Sequence, residues 1–407
     1  MTDPNKITRR GFLRTSAGVG AGVTAVFHAK DVLGANDRIN MGVIGVGGMG
    51  GGHLQRLVEW SETGVEKIKV IGVCDIYEPR KERAQKICGG KVFHEFEEMV
   101  QWKELDAVVI ATPDHWHAPI SIAAMEAGKD VYCEKPMTRY WEEAKKVAEV
   151  QERTGRVFQC GAQGSSDDAW WQARKLLQEG AIGKLIWSQA GAFRNCPTGD
   201  WNYHVETNAT PKNLDWDRFL GSAPKRPFDP ERYFRFRKYW DYSGGLATDL
   251  LYHSMGPFQV AFGTEFPCRV VASGGNYVHF DREVPDTYHT LVDFPSGHTL
   301  ALFSTQASET GLPVMIRGQE ATIHFESPGL VVRPEKPFSD KRKELRIQRQ
   351  PRANHMSNFI ECVRTRKTPH LDAKKAYAAM VAIALGVESY RQKKVMLFDP
   401  EKEQLIS

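Results

Sequence analysis

Apolar residues along this chain change their spacing near residue 165. Between residues 36 and 160, short unbroken apolar runs alternate with segments whose apolar positions recur every three or four residues. Met41–Ile44, Lys69–Cys74, Ala107–Ala111, Asp130–Cys133 and Val157–Cys160 are runs of the first kind. They lack the alternation of a half-exposed strand and so predict strands buried on both faces, as in a parallel sheet. Pro79–Ile87, Phe96–Met99, Ile120–Gly128 and Trp141–Arg153 carry helical spacing. Repeated strand–helix units predict an α/β, doubly wound parallel sheet with ligands at the strand carboxyl ends.

Beyond residue 165 a helix over Trp170–Glu179 leads into Lys184–Phe193, and a long aromatic, irregular stretch runs to Gly245 before a helix near 247–262. Val270–Val278, Thr287–Phe294, Leu300–Gln306, Val314–Arg317 and Ala321–Glu326 predict strands, with a turn at Pro295–Ser296–Gly297. Tyr288, Thr290, Val292 and Phe294 alternate with more polar residues, the pattern of a mainly antiparallel open sheet with one covered face. Met356, Phe359, Ile360 and Val363 stripe one closing helix, and Ala376, Met380, Ile383 and Val387 the next. The expected division is a dinucleotide-binding domain over 36–160, a second α/β domain over 161–390 and a tail over 391–407.

Composition adds limits. With 407 residues, 41% hydrophobic and 26% charged, the chain is long enough for two soluble cores. Residues 1–35 account for +3 of the formal charge of +4, so the remainder is nearly neutral and gives no electrostatic case for nucleic acid. Seven cysteines, odd in number and without C-x-x-C, argue against a disulfide framework or zinc ribbon. At the N-terminus, Thr8–Arg9–Arg10–Gly11–Phe12–Leu13–Arg14 precedes a short, weakly apolar run ending near Phe27. It resembles a twin-arginine export signal and is too short for a membrane span, so a periplasmic or otherwise exported protein is expected.

The chemistry starts at Gly45–Val46–Gly47–Gly48–Met49–Gly50, which follows the first apolar run and opens a helical pattern. In this G-x-G-x-x-G spacing Gly45 permits the turn, Gly47 admits a pyrophosphate to the backbone and Gly50 lets helix and strand pack closely. Phosphates then meet the free N–H groups of the helix, with Gly48 and Met49 beside them. Asp75 ends the second strand and is placed to accept from the adenosine ribose hydroxyls. It lies 30 residues after Gly45, against the usual spacing of about 20, and the insertion Ser61–Lys67 accounts for the excess. A carboxylate there repels a 2′-phosphate, and Ile76 rather than an arginine follows, so NAD is favoured over NADP.

Ala111–Thr112–Pro113–Asp114–His115–Trp116–His117, Glu134–Lys135–Pro136 and Gly244–Gly245–Leu246–Ala247–Thr248–Asp249–Leu250–Leu251–Tyr252–His253 together resemble the glucose–fructose oxidoreductase/inositol dehydrogenase/MocA family. The resemblance spans residues 38–390 and implies a Rossmann domain followed by an α/β domain whose open sheet often mediates oligomers. It implies Lys135, Asp249 and His253 as the catalytic set, with Thr112, Pro113, His117, Glu134 and Gln163 toward the nicotinamide. Leu251 and Gly256 depart from the family's D-x-G-x-H-x-x-D pattern.

These residue types suit oxidation of a sugar hydroxyl. A base takes the hydroxyl proton while hydride leaves, and His253 can act near neutral pH. Lys135 can bond the reacting oxygen and Asp249 can orient both, since Asp249 and His253 stand four apart and share a face in a regular helix. His115 and His117, with Asp114, Asp249 and His204, have spacing compatible with a metal, but nothing fixes a third ligand and no metal is assigned. The aromatic stretch offers Arg194, Tyr203, His204 and Trp240 as sugar contacts, because flat faces interleaved with donors suit a carbohydrate. An exported dehydrogenase has no nicotinamide pool to exchange with. NAD is therefore expected to stay tightly bound and be regenerated in place, by coupled reduction of a second sugar or by a redox-neutral glycosidase or lyase cycle through a keto-sugar. A non-catalytic sugar- or nucleotide-binding protein is the remaining alternative.

Overall fold

The computed structural model describes residues 38–406, so the export signal expected over residues 1–35 lies outside it. In the first domain, strand and helix alternate in chain order. The elements are β1 (Ile39–Ile44), α1 (Gly48–Thr63), β2 (Ile68–Cys74), α2 (Glu78–Cys88), β3 (Lys91–Phe93), α3 (Phe96–Val100), β4 (Ala107–Ile110), α4 (Asp114–Glu126), β5 (Asp130–Glu134), α5 (Trp141–Thr154) and β6 (Phe158–Gly161). The strands pair in parallel in the order β3-β2-β1-β4-β5-β6, which places the reversal of strand order between β1 and β4. Met41, Val43, Val108 and Val109 are fully buried because helices cover both faces.

The chain then forms α6 (Asp168–Gln178), β7 (Leu185–Asn195), α7 (Trp216–Leu220), α8 (Pro230–Phe234), a π-helical turn at Ala247–Leu251, and α9 (Tyr252–Phe262). There follow β8 (Arg269–Gly275), β9 (Thr287–Phe294), β10 (His298–Thr305), β11 (Ala307–Ser308), β12 (Met315–Gly318), β13 (Ala321–Glu326), β14 (Gly329–Pro334) and β15 (Leu345–Gln348). The described chain closes with α10 (His355–Thr365), α11 (Ala373–Gln392), β16 (Met396–Asp399) and β17 (Gln404–Ile406). The main path of the second sheet is β15-β14-β13-β12-β7-β10-β9-β8-β16-β17, antiparallel except where β10 runs parallel to β7. One face packs on α6, α9 and the almost wholly buried α11, while Trp187, Val271, Leu291 and Leu397 are exposed on the other.

Three segments differ from expectation. The sequence 391–407 is not a tail: Met396 and Phe398 bury alternate side chains, and β16 and β17 extend the sheet. Helix α4 begins at Asp114 instead of Ile120 and runs through Pro119, whose missing N–H forfeits one bond inside the helix. The helix near 247 opens as a π turn, whose i→i+5 bonding breaks the four-residue register between Asp249 and His253. Helix α10 packs Met356, Phe359 and Ile360 against Met41, Val43 and Tyr132, so a late segment completes the core of the first domain.

Candidate active site

The glycine loop takes the form its spacing predicts. Gly45 leaves β1 with φ of 81°, in the left-handed region. A Cβ on Gly50 would stand 1.8 Å from the carbonyl oxygen of Gly45, so α1 can rest on the loop only without a side chain there. Gly47, Gly48 and Met49 line a cleft of about 530 Å³ together with Asp75, Ile76, Thr112 and Pro113. The start of α1, with its unpaired N–H groups, faces this space, which gives an anion seat next to a carboxylate at the end of β2. This cradle fits a dinucleotide pyrophosphate. Asp75 is almost fully buried and also braces the loop, accepting the N–H groups of Val46 at 2.8 Å and Tyr77 at 3.0 Å. Its oxygens retain a second lone pair each for ribose hydroxyls.

A second centre forms where the two domains meet. Lys135, just beyond β5, donates from Nζ to Asp249 Oδ1 at 2.6 Å and to the Asp249 carbonyl at 2.8 Å. Arg237 Nε donates to the same Oδ1 at 2.8 Å, and Trp201 Nε1 to Oδ2 at 2.8 Å. Trp201 holds φ of 69°, an uncommon conformation for a bulky residue, with its ring buried and its N–H tied to Asp249. Burial pushes the Asp249 carboxyl up, but Lys135 and Arg237, with the Lys135 and Trp201 hydrogen bonds, more than offset it and hold it far below the usual carboxylate range. Two cations therefore share one carboxylate beside the cleft, which Arg237 itself lines.

His253 is exposed as a residue, yet the protein packed around it takes much of the water from its ring. That loss of water, reinforced by Lys135, lowers its pKa to about 4. The imidazole is neutral at pH 7 and able to take a proton.

The nicotinamide-side residues sort into liners and props. Thr112 and Pro113 line the cleft. His117 is buried, held between the carbonyl oxygens of Pro136 at 2.6 Å and Thr112 at 2.8 Å, so it supports the loop instead of lining the cleft as expected. His115 likewise faces the Phe219 carbonyl at 2.7 Å, and burial lowers its pKa to about 4. Glu134 is buried, with His53 Nε2 at 2.7 Å and Gln163 Nε2 donating at 3.0 Å. Burial raises the Glu134 carboxyl, but His53 and Lys135 bring it below its ordinary value.

Of the sugar-contact candidates, Tyr203 and His204 line the cleft. Arg194 lies within electrostatic reach of His253 but pairs with Asp200 at 3.2 Å. Trp240 is not brought to the site: it packs toward Tyr390 on the outer side, beneath the Arg391 guanidinium. Its aromatic character served packing between α11 and the loop before Gly244. Sequence reasoning missed the roles of Arg237, Trp201 and His53. A signal existed for His53, a polar residue on the buried face of α1 beside Leu54 and Leu57. Among the described residues, His94, Glu95 and Asp215 are grouped as metal ligands would be, but Lys81 and Arg218 already pair with them.

Fold and cleft together define a two-domain, dinucleotide-binding α/β protein. Residues 39–162 match the oxidoreductase-family NAD-binding Rossmann fold, and residues 172–407 match the oxidoreductase-family C-terminal alpha/beta domain. The chain belongs to the Gfo/Idh/MocA oxidoreductase family. It is similar to an inositol 2-dehydrogenase of Rubrobacter xylanophilus, 30% identical over 192 residues, or 46% of this chain and 53% of that one. The match spans about half the length of that relative. Among solved structures, the WlbA dehydrogenase of Bordetella pertussis in complex with NADH and UDP-GlcNAcA shares the fold with a TM-score of 0.65. The identity is 18%, covering 89% of this chain and 99% of that one. Levoglucosan dehydrogenase, in complex with NADH and levoglucosan, aligns with a TM-score of 0.65 at 19% identity, covering 88% and 99%.

Proposed function

We propose that the protein is an exported NAD-dependent oxidoreductase that oxidises a secondary hydroxyl of a sugar or glycoside and keeps its cofactor bound between turnovers. The observation that carries this is the meeting of Lys135 and Asp249, from different domains, at 2.6 Å beside the cleft whose far end is the glycine loop. Relatives named for inositol, levoglucosan and a nucleotide-linked sugar acid support a polyol or sugar substrate. Bound NAD supplies the hydride acceptor. Neutral His253 takes the hydroxyl proton, and Lys135, with one N–H still free of Asp249, holds the oxygen from which it leaves. Asp249 keeps Lys135 aimed. The twin-arginine sequence supports export, and the exposed face carrying Trp187, Val271, Leu291 and Leu397 supports a homo-oligomer.

The test is incubation of the purified protein, without added NAD, with a panel of polyols, glycosides and 3-keto-sugars. A keto product with bound NADH visible at its absorbance band is expected. Uptake of solvent deuterium beside the oxidised carbon, with release of the glycosidic substituent, would move the assignment to the redox-neutral lyase or glycosidase cycle. Failure of every substrate to reduce bound NAD would overturn the oxidoreductase reading.

A further inference from the structure

The cleft has a roof as well as a floor. Its floor is the glycine loop and the ends of β1, β2 and β4, and its roof is the second domain's segment 203–237, through Glu206, Phe219, Tyr233 and Phe234. This segment has a small core of its own, with Leu214, Trp216, Phe219, Tyr233 and Phe234. Tyr77, from the turn between β2 and α2, is wholly buried in that core.

Hydrogen bonds tie roof to floor along the edge where Asp75 stands. Tyr77 Oη donates to Glu206 at 2.8 Å, the Glu78 N–H to the Asn213 carbonyl at 2.9 Å, and the Asp215 N–H to the Ile76 carbonyl at 3.1 Å. Further along, Trp116 Nε1 donates to the Phe219 carbonyl at 3.1 Å. Arg80 sits at the centre. Its Nη1 lies 3.1 Å from where a Gly47 Cβ would stand, and it donates to Tyr233 Oη at 2.7 Å. The guanidinium also lies over the Tyr233 and Phe234 rings, at 4.9 and 5.4 Å from their centroids.

We propose that Arg80 is a cofactor-binding residue that meets the dinucleotide pyrophosphate beside Gly47, and that its bond to Tyr233, with the Tyr77–Glu206 bond, makes residues 206–234 a strap over the adenosine half. A guanidinium already stacked and bonded loses little freedom when an anion arrives. The pyrophosphate then bridges the glycine loop and Arg80, and through Arg80 engages the strap. Release requires the strap to lift, which breaks the row of bonds together. Substrate enters at the opposite end, past Tyr203 and His204, without disturbing it. The inference deepens the retained-cofactor reading and rests on it.

The test compares wild-type protein with the Tyr77→Phe/Tyr233→Phe double variant, which removes two hydroxyls and no ring, and with Arg80→Gln. Nucleotide carried through purification is measured by acid release, and dissociation of loaded NADH by loss of its fluorescence during a chase with excess NAD. Wild type retaining nucleotide, with release at least tenfold faster in both variants, is the expected result. Retention by wild type with unchanged release in the variants would overturn the strap and leave the retained-cofactor reading standing. Wild type that purifies empty and exchanges added NAD within seconds would overturn both. If a variant fails to fold, hydrogen exchange on wild-type protein decides. Amides of 206–234 that open as often with NAD as without it would overturn the strap, and amides slowed to the rate of NAD release support it.

Discussion

Asp249 serves two cations, and that asymmetry predicts different fates for its neighbours. Lys135 and Asp249 side chains are 7% and 12% exposed, so their charges are largely removed from water. Replacing Asp249 by Asn leaves Lys135 and Arg237 facing each other without the carboxylate they share and offers an amide N–H toward donors at 2.6 to 2.8 Å. Breaking a buried ion pair by removing one partner costs roughly 3–5 kcal/mol, and Asp249→Asn belongs at the upper end of that range. Lys135→Met is different, because Arg237 remains at 2.8 Å and the pair left behind is neutral. Its cost is about 1.5–3 kcal/mol, near that of one hydrogen bond to a charged group. Turnover reverses the order of severity relative to stability. Lys135→Met removes the donor to the reacting oxygen, and losses of about 10²–10⁴ in kcat are expected for such a group. Urea titration followed by tryptophan fluorescence gives the stabilities, and single-turnover reduction of bound NAD gives the rates. Lys135→Met as unstable as Asp249→Asn, or one that still turns over at the wild-type rate, would refute the shared-carboxylate account.

Five further outcomes follow from the site. With His253 lowered to about 4, the acid limb of kcat/KM should fall near that pH and not near 6.5, and His253→Gln should abolish the limb along with most activity. The unfolded chain binds this proton at higher pH than the folded one. The stability tied to His253 is therefore complete above about 6.5 and lost as pH falls toward about 4, which acid titration of the unfolding midpoint checks. Gly47→Ala should fold, because the nearest atoms to its Cβ belong to the Arg80 side chain at 3.1 Å and not to backbone, but bind NAD at least tenfold more weakly by calorimetry. Gly50→Ala, 1.8 Å from backbone, should lose about 1–3 kcal/mol or more of stability. His53→Leu should leave buried Glu134 with fewer donors and cost about 1–3 kcal/mol, while His53→Gln, which can still donate, restores most of it.

Local periodicity and steric necessity were legible in the chain itself. The unbroken run Ala107–Ile110 buries every residue, Thr287–Phe294 alternates as written, and Gly45 and Gly50 occupy positions closed to any side chain. Each depends on a residue's own backbone or on neighbours a few positions away, so the information is contiguous. Tertiary structure alone decided what depends on contacts between distant segments. It brought Arg237 and Trp201 to Asp249, His53 to Glu134 across 81 positions, and Arg80 to Tyr233 across 153. It also turned Trp240 and His117 away from the cleft, one to an outer packing surface and the other to two backbone carbonyls. A polar or aromatic side chain satisfies its hydrogen bonds and buries its surface with whatever the folded chain places beside it, and that neighbourhood is written nowhere in its own stretch of sequence.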